Sequence, residues 1–92
     1  MATFVTRVEL HSASESEYSR LHREMEGRGF TRLIYGSDGK RYQLPTAEYW
    51  FEGNATRDGV FGLADAAIRA TGCSSWILVT ESNGCTFRLA QV

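Results

Sequence analysis

The run TFVTRVELHSASESEYSRLHREMEGRG, residues 3–29, decides the fold class, because its apolar period changes once along its length. From Thr3 to Leu10 the side chains alternate. Phe4, Thr6, Val8 and Leu10 fall on one side and Val5, Arg7 and Glu9 on the other, the pattern of a half-buried strand. Ser12 and Ser14 then each stand three positions before a glutamate, Glu15 and Glu17, the reciprocal arrangement that occupies free amides at a helix start. Tyr18, Leu21 and Met25 make one apolar stripe, leaving Glu17, Arg20, Arg23 and Glu24 for water. Gly27 and Gly29 close the helix.

Downstream, Thr31–Tyr35 is β-branched and aromatic, and Ser37-Asp38-Gly39 tolerates the positive φ of a tight reversal into Lys40–Leu44. Pro45 lacks a ladder N–H, so a bulge or an unpaired position is expected before a strand over Ala47–Glu52. Asn54 or Thr56 caps a second helix, with Val60, Phe61, Ala64, Ala67, Ile68 and Thr71 along its apolar side and Gly72 at its end. Trp76–Thr80 is the next strand, and Asn83-Gly84 predicts a hairpin returning through Thr86–Leu89 as an edge extension. The order is βαββαβ with a C-terminal hairpin. That is an α+β fold of the ferredoxin-like plan: one antiparallel sheet with two helices on one face.

With 92 residues, 42% of them hydrophobic, the chain fills one modest core, so residues 1–92 are read as a single domain. A charged leader and a long apolar run are both missing, which predicts a cytoplasmic protein without a membrane partner. Cys73 and Cys85 lack metal-ligand spacing and read as reduced, structural thiols; no metal and no cofactor is implied. A net charge of −1 argues against a globally basic nucleic-acid binder. One stretch departs from this balance: residues 27–44 carry Arg28, Arg32, Lys40 and Arg41 against Asp38 alone, either a local positive stripe or solvated charges flanking a turn.

If Phe4, Val8, Leu10, Tyr49, Phe51, Ile77 and Val79 face the helices, alternation sends Val5, Arg7, Glu9, Glu48, Trp50, Glu52, Trp76 and Leu78 to the open face. Two uncovered tryptophans there predict a partner, a second copy meeting this face through Val5, Trp50, Trp76 and Leu78. Packing beneath the terminal hairpin and base stacking are the competing explanations. Stacking lacks the basic-Gly-aromatic strand of RNA-recognition modules, and Glu48 and Glu52 flank Trp50 with charges that repel phosphate.

Phosphate-cradling glycine loops, nucleophile elbows and zinc-protease motifs are absent. A metal-independent ribonuclease needs a base near neutrality and cations for the phosphate. His11 and His22 are the only histidines, and Arg20, Arg23, Arg28, Arg32 and Arg41 are the nearby cations. His22 lies one residue from the apolar stripe, where an ordinary surface imidazole is the competing reading, and His11 reads equally as a loop or capping group. Glu9 and Glu48 could pair as metal-binding carboxylates or be plain surface charges.

Three segments together resemble a known family: the strand Ala2-Thr3-Phe4-Val5-Thr6-Arg7-Val8-Glu9-Leu10, the helix Tyr18-Ser19-Arg20-Leu21-His22-Arg23 ending at Gly29-Phe30, and the return Arg41-Tyr42-Gln43-Leu44-Pro45-Thr46-Ala47-Glu48-Tyr49. The chain is similar to the GhoS-like antitoxins of type V toxin-antitoxin systems. The resemblance implies a ferredoxin-like fold akin to Cas2-type nucleases and an endoribonuclease that cleaves the transcript of a membrane-active toxin. It also implicates basic residues of the first helix, matched here by Arg20 and His22 as catalytic positions. A ribonuclease reading of this chain adds Arg28, Arg32 and Arg41 to them as RNA-backbone contacts and gives His22 the part of base or acid. Leu10-His11-Ser12 stands where a Cas2-type Asp would follow the first strand, which disfavours a metal-dependent route. The expected partners are thus single-stranded RNA and a second copy; a noncatalytic homodimeric adaptor using the open sheet face is the alternative.

Overall fold

The computed structural model describes residues 1–92: β1 (Ala2–Leu10), α1 (Glu15–Glu26), β2 (Leu33–Tyr35), β3 (Arg41–Gln43), β4 (Glu48–Gly53), α2 (Arg57–Arg69) and β5 (Ser75–Glu81). The fold is mixed α+β, with a three-stranded antiparallel sheet in the order β4-β1-β5 and a two-stranded sheet of β2 and β3. No helix is long and apolar enough to cross a membrane.

β1 runs through the middle because its alternation supplies one side without a charge, apolar but for Thr6. Phe4, Thr6, Val8 and Leu10 are all buried, and they meet Leu21 and Met25 of α1, Val60, Ala64, Ala67 and Ile68 of α2, and Tyr49 of β4 in one core. The Thr6 hydroxyl is enclosed in that core with no hydrogen-bond partner. An unpaired buried hydroxyl costs about 1–3 kcal/mol, whereas valine keeps the same branched shape. Thr6→Val is therefore expected to raise stability by about 1 kcal/mol in urea unfolding, and a loss of that size would show that the hydroxyl has a partner.

α1 starts at the second of the two serine signals: the Ser14 N–H donates to Glu17 Oε2 at 3.1 Å. It stops where Gly29 takes φ +94°, a left-handed conformation open to glycine, and the Phe30 N–H returns to the Met25 carbonyl at 3.1 Å. This reversal turns Phe30 back into the core. Thr56, not Asn54, caps α2, accepting from the Gly59 N–H at 3.0 Å. Phe61, expected on the apolar side of α2, is 44% exposed, because the residues that meet the sheet are Val60, Ala64, Ala67 and Ile68.

The stretch expected as one strand over residues 31–35 divides its pairing. Thr31 exchanges backbone hydrogen bonds with Trp50 of β4 (2.9 and 2.7 Å), while Leu33–Tyr35 turns away to pair with Arg41–Gln43. The irregularity anticipated at Pro45 is a turn in which the Glu48 N–H reaches the Pro45 carbonyl and Ala47 has φ +65°.

The predicted C-terminal hairpin does not form. After β5 the chain leaves the sheet and runs alongside β3 instead: the Gln43 N–H donates to the Ala90 carbonyl and the Val92 N–H to the Arg41 carbonyl, each at 3.0 Å. Packing explains the choice, since Phe87 lies against Tyr42 with ring centroids 5.2 Å apart, an apolar contact that an extension of β5 would forgo. Of the two cysteines, Cys73 is half-buried against the core, but Cys85 is exposed, so the packing account of a structural thiol fits the first only.

Candidate functional site

α1 and β4 bring an imidazole and a phenol together. His22 sits beside the buried stripe of α1, and Tyr49 points from β4 to the helix side of the sheet, where it is fully buried. His22 Nδ1 and the Tyr49 hydroxyl are 2.6 Å apart. Burial first, and the nearby Arg32 guanidinium second, hold the imidazole below its ordinary pKa, with Glu26 acting weakly the other way. Burial raises the Tyr49 phenol far above its usual value, so it keeps its proton. That proton has no acceptor other than His22 Nδ1, so the arrangement that pairs both groups has Tyr49 donating to Nδ1 and His22 carrying its own proton on Nε2.

Arg32 occupies the bend between Thr31 and β2, and its side chain makes no ion pair or hydrogen bond. Its Nε is buried without a partner. Together with Ser14, Tyr18, Ser19, His22 and Thr46 it lines an open polar cleft of about 590 Å³, whose one carboxylate is Glu15 near the start of α1. A half-buried guanidinium without a counter-ion, beside a neutral imidazole and hydroxyl groups, is suited to a phosphate or another oxyanion.

The other expected residues do not join this cleft. Arg20 is exposed on α1, two residues and so about 200° around the helix from His22. Arg28 is held by Glu24, its Nη1 lying 2.9 Å from the carboxylate and 3.0 Å from the Glu24 carbonyl. Arg41 is exposed on β3, opposite Tyr35. His11 lies at the far end of β1, edge-on to Trp76 at 4.9 Å and 3.6 Å from Glu9. Sequence reasoning missed Tyr49 as a site residue, having used it only as core.

On the open face, alternation places the side chains as expected. Trp76 is 70% and Leu78 63% exposed, whereas Val5 and Trp50 are half-buried. Trp50 is less uncovered than anticipated, since Thr31 pairs alongside it, and its indole N–H donates to Glu52 at 2.8 Å. Arg7 is the direct cross-strand neighbour of Glu48, and Trp76 that of Glu9, so the two carboxylates are not paired with each other. No group of three or more His, Cys, Asp or Glu side chains converges anywhere in the fold. No protein-family model and no curated protein matches this chain.

Proposed function

We propose that the chain binds single-stranded RNA by its backbone in the cleft that α1 forms with Arg32 and Thr46, and acts on it as a metal-independent endoribonuclease of the GhoS-like antitoxin kind, with a toxin transcript as substrate. The observation that carries this reading is Arg32, a partly buried guanidinium with no acid partner, set beside a neutral His22. Strand order supports the ferredoxin-like plan that goes with it: β5-β1-β4, continued beyond β4 by the two hydrogen bonds of Thr31 with Trp50.

In this reading Arg32 and the His22 Nε2–H hold a phosphate, and the exposed Arg20 and Arg41 attract the strand from outside the cleft. Cleavage asks more of His22. To act as base its Nε2 must be free, which requires Nδ1 to carry the proton and donate to the Tyr49 oxygen while the Tyr49 hydroxyl turns elsewhere. His22 then takes the 2′-hydroxyl proton as that oxygen attacks the adjacent phosphorus; the bond to the 5′-oxygen breaks, and that oxygen takes a proton from water. The tautomer that pairs both groups serves binding, and the less stable one serves chemistry.

A noncatalytic homodimeric adaptor is the second reading, favoured by the exposed Trp76 and Leu78. Incubating EDTA-treated protein with a mixed pool of single-stranded RNAs, beside His22→Ala, separates the two. Discrete products from the wild type and none from the variant are expected. No cleavage by either protein, with or without Mg²⁺, would leave the adaptor as the better account.

A further inference from the structure

β5 is an outer strand whose far side nothing pairs. Two hydrogen bonds fix which of its residues face inward: the His11 N–H donates to the Ser74 carbonyl at 2.9 Å and the Ser82 N–H to the Thr3 carbonyl at 2.8 Å. In an antiparallel ladder the bonding direction alternates, so Trp76, Leu78 and Thr80 direct their amides and carbonyls to β1. Ser75, Ile77, Val79 and Glu81 direct theirs outward. The strand holds an unbroken register from residue 75 to 81, contains no proline and bears one charge, at its end. The usual devices that discourage edge pairing are therefore missing.

We infer that this edge pairs antiparallel with the same edge of a second copy, about a two-fold axis at Leu78, to give one continuous six-stranded sheet. The register follows from the bonding phase. Opposing Leu78 to the partner's Leu78 sets Ile77 against the partner's Val79 and Ser75 against the partner's Glu81, each pair outward-bonding on both sides. A slip by one residue would oppose inward-bonding to outward-bonding positions, and a slip by two would leave strand ends unpaired. Charge agrees with this choice: the one carboxylate, Glu81, meets the partner's Ser75 and stays at the opposite end from the partner's Glu81.

The same register gives the exposed apolar residues a role. Leu78 and the partner's Leu78 form the close, non-hydrogen-bonded kind of pair, and Trp76 stands opposite the partner's Thr80, so Trp76 and Leu78 of both copies line one strip across the join. A second copy is the occupant because one strand supplies both halves of the complementarity, as a two-fold contact requires. The contact is edge to edge; Val5 on β1 and Trp50 on β4 lie one and two strands away from it. It does not rest on the RNA reading.

Light scattering over a concentration series tests it. The wild type is expected at twice the 10.3 kDa of one chain, and Leu78→Lys, which sets like charges face to face at an exposed position, at 10.3 kDa with an unchanged circular dichroism spectrum. Leu78→Cys, air-oxidised, is expected to cross-link into a dimer far more completely than Trp76→Cys or the wild type with its native Cys73 and Cys85. A monomeric wild type overturns the inference, as does a dimer indifferent to Leu78→Lys or equal cross-linking at residues 76 and 78. His22→Ala should leave the mass unchanged, so this inference and the ribonuclease reading fail separately.

Discussion

Tyr49→Ala is expected to lower the thermal midpoint by more than about 15 °C, because it removes the largest fully buried side chain of the core. Tyr49 packs edge-on to Phe30 at 6.5 Å between centroids and bonds His22, and so ties β4 to α1 and to the turn after it. Emptying an aromatic site in a packed core costs about 3–5 kcal/mol. A chain of this size has roughly 0.05–0.15 kcal/mol of stability per residue, so the loss is a large part of the whole. Tyr49→Phe keeps the ring and deletes only the bond to His22, for a cost of about 1 kcal/mol. Differential scanning calorimetry of the pair distinguishes packing from hydrogen bonding; an alanine variant that melts within a few degrees of the wild type would remove Tyr49 from the centre of the core.

Arg32→Ala should weaken binding of single-stranded RNA by about tenfold or more at fixed salt, the scale of one charge-assisted contact with phosphate. Arg20→Ala, on the far side of α1, should change it by about twofold. Fluorescence anisotropy at several salt concentrations checks this, and equal losses from the two variants would deny the cleft a special part in binding. The same substitution has a second readout. Burial is the larger cause of the lowered His22 pKa and Arg32 the next, so Arg32→Ala should move the imidazole titration upward, part of the way to its ordinary value.

The sign for stability follows from that shift. The folded imidazole resists protonation, so the unfolded chain takes up a proton first as the pH falls through the ordinary value of about 6.5. Stability that is intact above this range declines as the pH drops toward the folded pKa, and Arg32→Ala narrows the window of decline. NMR titration of the His22 ring protons in both proteins measures it directly.

The first half of the fold was legible because it is local. Alternation and the Ser14–Glu17 pair specify β1 and the start of α1 from neighbouring residues alone. The tail was not, since Asn83-Gly84 is a sound turn signal that says nothing about which strand the return will join. Contact between Phe87 and Tyr42, distant in sequence, overrode it. In the site, His22 and Arg32 could be singled out as a possible base and a cation. One discriminating clue was also present: Glu24, in the last turn of α1, precedes Arg28 by four residues, which accounts for that cation, while Arg32 has no such acid. That Tyr49 would fix the tautomer of His22 depends on how β4 lies under α1, which no local pattern encodes.

The central place of β1 also sets a delay in time. Its two neighbours in the sheet are β4 and β5, so the earliest strand of this stretch pairs with nothing until residues 48–53 exist and is not enclosed on both sides until residue 81 does. At a synthesis rate of roughly 5–20 residues per second, the interval from the end of β1 to residue 81 is roughly 4–14 s. Through it the backbone edges of a ready-made β-strand stay without their native partners, while α1, which closes on itself, can already form. Folding of this chain is therefore governed by how long its first strand waits, and a substitution that makes Ala2–Leu10 less prone to pair with other chains should raise the yield of soluble protein more than it changes the stability of the finished fold.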